Sequence, residues 1–401
     1  MDLSSKLCRA GVAAGVLLAT TAATNRALAD DCTTLKNPIF GIGGSAQVPI
    51  FAKLGAALAA LNPPQTLVYQ STLGACSGVQ AIVGGTAITG SPTIWDTTGK
   101  ASTCTLAVPQ PADFGAGGTY ANFCPGVTAL PAGVADFLGP VQAYDLIVPY
   151  ASTETTISAE ALYFIYGFGG ATNPVSPWNV GGEIYKRNTN SGAAIIVSLA
   201  IGVPVAKLFG TDAVSNGNTV TLVSSWNNDA AAAQHAIGFV SADVAEGAPA
   251  MSVNVLAYQH TGQSCGWWPS STAQAHDKIN VRNGLYALWS PVHFVAAVDS
   301  NNTPTSPGAK ALIGWFTGKV APPAGVDIDG LTVSAGAVLD CAMEVQRTTD
   351  MGPLLPYAPA APCGCYFDKT ATGANKCTAC TTSADCPTSA THCTKGYCEV
   401  N

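Results

Sequence analysis

The sequence predicts an α/β protein with two lobes followed by a disulfide-rich tail. Strand and helix patterns alternate between residues 36 and 356, which favours mainly parallel sheets covered by helices. Residues 30–401 are too many for one hydrophobic core and suit two lobes with an appendage. Beyond residue 356 cysteines become dense and apolar runs stop. Disulfide bonds must therefore hold that part of the chain.

The assignment of each element rests on apolar runs and on the Gly, Pro and Asn residues that interrupt them. Strands are predicted at residues 38–42, 66–70, 144–150, 183–187, 237–241, 252–259 and 286–296. Helices are predicted at residues 48–61, 77–83, 158–166 and 191–201. Residues 92–140 are predicted to be a long loop insertion in which Cys104 and Cys124 are a plausible local pair.

The N-terminal segment has the pattern of a signal peptide. Lys6 and Arg9 precede a small apolar run over residues 10–23, and Ala27-Leu28-Ala29 offers a cleavage site. The run is too short to span a membrane comfortably. We therefore expect export to the periplasm, the medium or the cell surface, and a mature chain that begins at Asp30.

Composition excludes several functions. The formal net charge is -7 and only 10% of residues are charged, so nucleic acid, which needs a basic surface, is not an expected partner. The motifs of zinc peptidases and of phosphate-binding loops do not occur, and the five histidines show no metal-binding spacing. We therefore expect no cofactor and no metal. Cys377 and Cys380 have zinc-ligand spacing, but disulfides are the stronger expectation in an exported chain.

Thirteen of the fourteen cysteines follow the predicted cleavage site. An exported chain with so many cysteines is typical of a disulfide-bonded protein. Because thirteen is odd, one thiol is left free, or pairs between chains, or the cleavage site is misplaced. Seven cysteines lie within residues 363–398, behind a proline-rich linker, which predicts a separate, oxidation-dependent module.

Two junctions have the pattern of a strand, a turn and a helix start that suits an anion. The first is GIGGS at residues 41–45, and the second is RNTNSGA at residues 187–193. Free backbone N–H groups and the positive end of the helix dipole attract anions at a helix start. Arg187 adds a permanently charged donor fork. For either junction alone, an ordinary N-cap or turn is the commoner explanation.

These segments form part of an ordered set that resembles the phosphate-binding protein family of bacterial ABC transporters, within the type II periplasmic solute-binding superfamily. GIGGSAQVPIFAK at residues 41–53 is similar to the family's first segment, and Tyr69-Gln70 and residues 76–79 are similar to its second. Residues 165–167, Trp178-Asn179, residues 187–193 and HAIGFV at residues 235–240 follow in the family's order. The resemblance covers about residues 38–320 and implies a cleft between two lobes that captures a small oxyanion.

The resemblance implies which residues bind that anion. They are Ser45 and the backbone of Ala46, the hydroxyl of Ser77, the guanidinium of Arg187, and the turn of Ser191, Gly192 and Ala193. Three positions depart from the family. The serine of the family's second segment should fall near residues 75–77, where Ser77 has the only hydroxyl. Ala193 stands where the family has threonine, and the family's aspartate should fall near residues 90–93, which read GSPT; Asp96 lies a few residues beyond. Protonated phosphate needs an acceptor for its O–H, so strict phosphate specificity is not predicted.

The resemblance also implies an organisation of domains. Lobe I would comprise residues 30–143 and 286–356, lobe II residues 144–285, and the tail residues 357–401. The protein would be a monomer that binds without chemistry and delivers its anion to an ABC transporter component in the membrane. Two alternatives stay open: a surface or interaction protein on this fold that has lost its ligand, and a hydrolase that uses Cys76 within GACSG at residues 74–78.

Overall fold

A computed structural model describes residues 30–71, 73–169, 175–374 and 376–400. The predicted signal peptide lies outside these residues. The strands are β1 (Pro38–Gly43), β2 (Thr66–Gln70), β3 (Ile88–Gly90), β4 (Thr93–Trp95), β5 (Ala101–Thr103), β6 (Leu106–Gln110), β7 (Phe114–Gly117), β8 (Val134–Pro149), β9 (Thr156–Ser158), β10 (Tyr185–Lys186), β11 (Thr211–Asp212), β12 (Gly238–Ser241), β13 (Val253–Val255), β14 (Ala257–Gln259), β15 (Trp289–Ala297), β16 (Val345–Gln346), β17 (Leu355–Pro356), β18 (His392–Thr394) and β19 (Tyr397–Glu399). The helices are α1 (Val48–Ala59), α2 (Ala75–Gly84), α3 (Ala159–Phe168), α4 (Gly192–Ile201), α5 (Asn216–Ser224), α6 (Ala242–Glu246), α7 (Ile279–Arg282), α8 (Pro307–Phe316), α9 (Ile328–Ser334) and α10 (Gly364–Thr372).

The α/β class is confirmed, and the central sheet is mixed rather than mainly parallel. Its order is β12-β8-β15-β7-β1-β2-β4-β5, and β13 also pairs with β8. Strand β1 runs parallel to β2 and β7, whereas β15 runs antiparallel to both β7 and β8. The long strands β8 and β15 lie side by side in opposite directions, which produces the mixed sheet.

Strand β8 contributes to two hydrophobic cores. Its beginning, with Phe137, packs in a core formed with α1, β2, α8 and α9. Its end, with Leu146 and Val148, packs in a larger core formed with α3, α4 and β12. A strand shared by two cores is what a crossover between lobes requires. The lobe boundaries at residues 143 and 286 stay a prediction.

The prediction of a loop insertion over residues 92–140 is wrong. This segment contains β4 to β7 and the start of β8. The four strands are three to five residues long, too short to produce a clear alternation in the sequence. The predicted local cysteine pair is also wrong, because Cys104 is bonded to Cys32 and Cys124 to Cys76.

The tail is not a separate module. A disulfide joins Cys341 of the body to Cys363, and Phe367 of α10 is buried in the larger core. Arg282 Nη1 lies 2.5 Å from Asp368 Oδ1, and its guanidinium carbon lies 5.0 Å from the centre of the Phe367 ring. The sequence analysis missed α10 because its buried face consists mainly of a single residue.

The remaining tail cysteines form disulfides: Cys365–Cys377, Cys380–Cys393 and Cys386–Cys398. The sulfurs of Cys380, Cys386 and Cys393 lie within 4.8 Å of one another, but bonded sulfurs are not the thiolates that zinc needs. Within the described residues Cys265 alone is free, and it is exposed. Among the residues that the structure describes, none of the helices is long and apolar enough to cross a membrane.

Candidate functional site

The first junction places a short turn and helix α1 at the end of β1. Gly43 has no room for a side chain, since a Cβ would lie 1.7 Å from the carbonyl oxygen of Ala116 in β7. The chain then turns through a 3-10 segment at Ser45–Gln47 directly into α1. The Tyr69 hydroxyl holds this turn by donating to the carbonyl of Gly44 at 2.9 Å. Close packing against β7 therefore fixes where the Ser45 backbone points.

A second helix, α2, begins close by and touches the opposite side of the cleft. Gly74, at φ +87°, packs against the backbone of Asn190. The N–H of Cys76 donates to the carbonyl of Asn190 at 3.0 Å. The hydroxyl of Ser77 donates back to the carbonyl of Gly74 at 2.6 Å. This local bond satisfies the Ser77 hydroxyl within α2.

The second junction brings Arg187 and the start of α4 to the same place. Arg187 follows β10 directly, and Ser191 is the N-cap of α4, its Oγ accepting from the N–H of Ala194 at 3.5 Å. A Cβ on Gly192 would lie 3.0 Å from the carbonyl oxygen of Gly118, which follows β7. The two predicted junctions therefore lie close together around one small cavity.

These segments enclose a cavity of about 10 Å³. That volume is close to what one buried water molecule needs, so any larger ligand requires these segments to move apart. The cavity is lined by residues from both sides of the cleft: Gly44, Ser45, Ala46, Gln47, Gly74, Ala75, Gly118, Tyr144, Arg187, Ser191, Gly192, Ala193 and Asn216.

Arg187 carries the charge of this cavity. It is buried, with Nη1 donating to Asn216 Oδ1 at 2.5 Å, and Nη2 donating to the carbonyl of Val214 at 2.9 Å and to Ser45 Oγ at 3.4 Å. Its Nε is buried without a hydrogen-bond partner. In the described part of the chain no carboxylate oxygen lies within 4.0 Å of the guanidinium.

Burial shifts the pKa values of two side chains that line the cavity, Arg187 and Tyr144. Burial lowers the pKa of Arg187 to about 10, against the opposing effect of Asp212, so Arg187 stays charged at neutral pH. Burial raises the pKa of Tyr144 well above its ordinary value, so its hydroxyl stays protonated and donates to the carbonyl of Gly118 at 3.1 Å. The cavity thus combines one positive charge with neutral donors.

An acceptor without a partner also faces this region. Gln47 Nε2 donates to Gln142 Oε1 at 2.9 Å, and Gln142 Nε2 donates to the carbonyl of Ala46 at 2.7 Å and to Asp243 Oδ1 at 3.4 Å. Because Gln142 must present its oxygen to Gln47, the Gln47 amide is held in one orientation. Gln47 Oε1 is then left buried without a hydrogen-bond partner.

The structure brings most of the sequence-predicted site residues together. Ser45, Ala46, Arg187, Ser191, Gly192 and Ala193 all line the cavity, whereas Ser77 does not. Sequence reasoning missed the contributions of Gln47, Gly118, Tyr144 and Asn216, among others. Gln47 sits two residues after Ser45 in the same motif, which was a usable signal. Gly118, Tyr144 and Asn216 belong to no motif and reach the site only through the tertiary fold.

The hydrolase alternative is wrong in its nucleophile. Cys76 is fully buried and bonded to Cys124 at an S–S distance of 2.07 Å. A disulfide sulfur offers no thiolate for nucleophilic attack. The glycines around Cys76 instead serve close packing, since a Cβ on Gly78 would lie 2.8 Å from the carbonyl oxygen of Ile42.

No protein-family model matches this sequence, and no curated protein matches it. Among solved structures, it is similar to a putative phosphate ABC transporter substrate-binding protein with bound phosphate from Clostridium perfringens. The two are 13% identical with a TM-score of 0.50, over 76% of this chain and 99% of that one. It is also similar to an ABC-type phosphate transport receptor from Vibrio cholerae, at 15% identity and a TM-score of 0.45, over 76% of this chain and all of that one. The Clostridium match supports a shared fold.

Proposed function

We propose that this chain is an exported solute-binding protein that captures a small, phosphate-like oxyanion between two lobes. The anion would be passed to the membrane component of an ABC transporter, and the protein would act as a monomer without performing chemistry. The proposed ligand contacts are Ser45, the backbone of Ala46, Arg187, and the turn that opens α4. The Ser77 hydroxyl, which the sequence also implicated, would support the start of α2 rather than touch the anion.

The observation that carries this proposal is the state of Arg187. A buried guanidinium without a carboxylate is unfavourable unless a ligand or other groups compensate for its charge. The unpartnered Nε belongs to Arg187, which lines the cavity. Helices α1, α2 and α4 begin around the same cavity. An oxyanion would satisfy these donors together and neutralise the charge.

Ligand entry would require the two sides of the cleft to separate. The hydrogen bonds that now join them include the Cys76 N–H to the Asn190 carbonyl, the Tyr144 hydroxyl to the Gly118 carbonyl and the Arg187 guanidinium to Ser45. Strands β8 and β15 continue through both cores, which suits a hinge at the crossover. Binding would then trade direct contacts across the cleft for contacts made through the anion.

The chemistry of the cavity suggests how selective it is. No aspartate or glutamate lines it, so a fully ionised anion such as sulfate meets no direct carboxylate repulsion. Gln47 Oε1 offers a neutral acceptor that could receive the O–H of a protonated phosphate. We therefore propose a site that accepts both kinds of tetrahedral oxyanion and discriminates weakly between them.

Export is supported by two independent features. Residues 1–29 have the pattern of a signal peptide, and the described chain contains six disulfides of the kind that oxidising compartments maintain. N-terminal sequencing of protein secreted by its native host should find Asp30. An intact Met1 on most molecules would contradict export by this route.

Calorimetric titration with phosphate, sulfate and methylphosphonate at low salt tests the binding proposal. Wild-type protein should release heat with at least one of them, and Arg187→Met should bind about ten- to a hundred-fold more weakly, since a lost charged hydrogen bond is worth about 1.5–3 kcal/mol. Equal affinity in wild type and variant would remove Arg187 from the site.

The second candidate is a ligand-free interaction protein on the same fold. Ala193 and the lack of a lining carboxylate favour it, because both depart from the pattern that the sequence otherwise resembles. The same titrations distinguish the two functions. No heat from either folded protein with any of the three anions would favour this alternative.

A further inference from the structure

A second and much larger cavity lies where the tail meets the crossover strands. Its volume is about 710 Å³, within the range of pockets that hold drug-sized molecules. Apolar side chains from the body form much of its wall, including Leu138 of β8, Phe316 of α8 and Ile328 of α9. Thr394 and Lys395 of the tail close one side. The docked tail therefore completes a pocket that the body alone does not enclose.

One wall of this cavity carries a buried arginine, Arg347, which is 6% exposed. Its Nη1 donates to the carbonyls of Ala287 and Trp289, both at 3.2 Å, and its guanidinium carbon lies 4.0 Å from the centre of the Trp289 ring. Its Nε is buried without a partner. Among the described residues no carboxylate oxygen lies within 4.0 Å of it.

Asp350 is the acid whose charge acts most on Arg347, and its carboxylate already accepts three hydrogen bonds. Asp350 accepts from the Thr119 hydroxyl at 2.6 Å, from the N–H of Tyr120 at 2.8 Å and from the Ser290 hydroxyl at 2.6 Å. Burial lowers the pKa of Arg347 to about 10, and Asp350 only partly offsets that effect. The guanidinium therefore stays charged at neutral pH without an ion-pair partner.

Two carboxylates also line the cavity, and only one of them is in an ion pair. Lys395 forms an ion pair with Asp329, and Asp340 accepts from the Tyr357 hydroxyl at 2.6 Å. Two further polar atoms of lining residues are buried without partners, the indole N–H of Trp289 and the hydroxyl oxygen of Thr332. Unpartnered buried polar atoms are rare in native proteins. These atoms are buried behind the cavity wall, so the case for a ligand that brings an acceptor rests on Arg347, which lines the cavity without an ion pair among the described residues.

We propose that this cavity binds a small organic carboxylate with an apolar ring as its body. The carboxylate would accept from Arg347, and the ring would pack against Leu138, Phe316 and Ile328. An inorganic anion would satisfy the charge but would leave the apolar walls without contacts. This site is independent of the cleft at Arg187 and takes a different class of ligand.

The probe for this test is 4-fluorobenzoate, followed by fluorine NMR on the full mature chain. We expect its signal to broaden and shift with saturable binding, and excess inorganic phosphate should not displace it. The neutral analogue 4-fluorobenzyl alcohol should bind about ten-fold more weakly or worse, because it lacks the charge that pairs with Arg347. Arg187→Met should bind 4-fluorobenzoate as wild type does. Absence of binding, equal binding of the alcohol, or competition by phosphate would overturn the proposal.

Variants locate the binding in the chain. Arg347→Met should weaken 4-fluorobenzoate by about ten-fold or more. Arg347→Met also removes two hydrogen bonds to backbone carbonyls and can therefore disturb the fold. Two oppositely charged variants at one position on the cavity rim give a test that does not depend on Arg347. Leu138 is half exposed. Both substitutions remove the Leu138 contact with the ring, so only their difference reports charge: Leu138→Glu should bind the carboxylate about two- to five-fold more weakly than Leu138→Lys at low salt, and added salt should reduce the difference. The same effect from both substitutions, or none from either, would show that no anion binds beside this rim.

Discussion

Arg187 and Arg347 are both buried, both lack a carboxylate within ion-pair distance among the described residues, and both keep an unpartnered Nε. Their surroundings differ. The Arg187 cavity is about 10 Å³ and is walled by glycine, serine and helix starts, whereas the Arg347 cavity is about 710 Å³ and has apolar walls. The comparison teaches that two buried guanidiniums without an ion pair can lie in very different surroundings, so the volume and the walls decide which class of ligand is proposed for each.

The largest expected effect comes from removing the disulfide that joins the tail to the body, because the two cavities differ in whether the tail lines them. Replacing the disulfide between the body and the tail, as Cys341→Ser with Cys363→Ser, opens a loop with a sequence separation of 22. Loop closure of that size predicts a loss of about 3 kcal/mol in the free energy of unfolding. Urea denaturation measures this loss.

The same double variant should also lose affinity for 4-fluorobenzoate and keep its affinity for oxyanions, as titrations of both ligands would show. Of these two cavities, the one at Arg347 is lined partly by the tail and the one at Arg187 is not. An unchanged denaturation midpoint would show that the tail does not stabilise the body and is a separate module. A parallel loss of both affinities would mean that the two cavities are coupled.

The next effect concerns pH and the carboxyl group of Asp243, which accepts a hydrogen bond from Gln142. Burial raises the pKa of Asp243 to about 7, with the nearby Glu246 carboxylate adding to the shift. Since this pKa is higher in the folded than in the unfolded chain, the folded state binds more protons between about pH 4 and 7. Stability from this group is therefore fully present near pH 4 and is lost as the pH rises through 7.

Asp243→Asn should remove this dependence. Relative to wild type, the variant should gain on the order of 2 kcal/mol in the free energy of unfolding between pH 4.5 and 7.5. Urea unfolding at three pH values measures the gain. Some slope should remain in the variant, because burial also raises the pKa of Asp145 to about 8. A constant difference between the two proteins across this range would contradict the assignment.

The smallest effect is a comparison of two serines, one that lines the cleft cavity and one that does not. Ser45→Ala removes a hydroxyl next to Arg187 and should weaken oxyanion binding by about two- to ten-fold, as expected for a neutral hydrogen bond. Ser77→Ala removes a hydroxyl bonded to Gly74 and should leave affinity within about two-fold. Calorimetry on the two variants side by side checks this. A larger loss from Ser77→Ala would place that hydroxyl on the ligand.

The sequence located several elements from their apolar runs, although α8 was not predicted despite its five buried residues. Strand β2 has the predicted bounds, β1 and α4 differ from theirs by one residue, and both anion-type junctions lie where strand and helix meet. Helix α5 was missed because it is mostly polar, and β4 to β7 because they are short. Local sequence signals report burial along an element, so weakly buried elements leave little trace.

Features that depend on distant partners were out of reach. The orientation of Gln47 is set by Gln142, 95 residues away, and through it by Asp243. The pairing of Cys104 with Cys32 brings together residues separated by 72 positions. The Arg347 cavity needs the tail to fold back on the body. Each of these follows from tertiary packing, which no single motif encodes.

The lone free thiol has a practical consequence for measuring any of this. Cys265 is exposed, and the other cysteines of the described chain are locked in disulfides. A maleimide dye should therefore attach at one position of the mature protein without any engineered cysteine. The same thiol can join two molecules during oxidative storage, so Cys265→Ser is the suitable background for calorimetry.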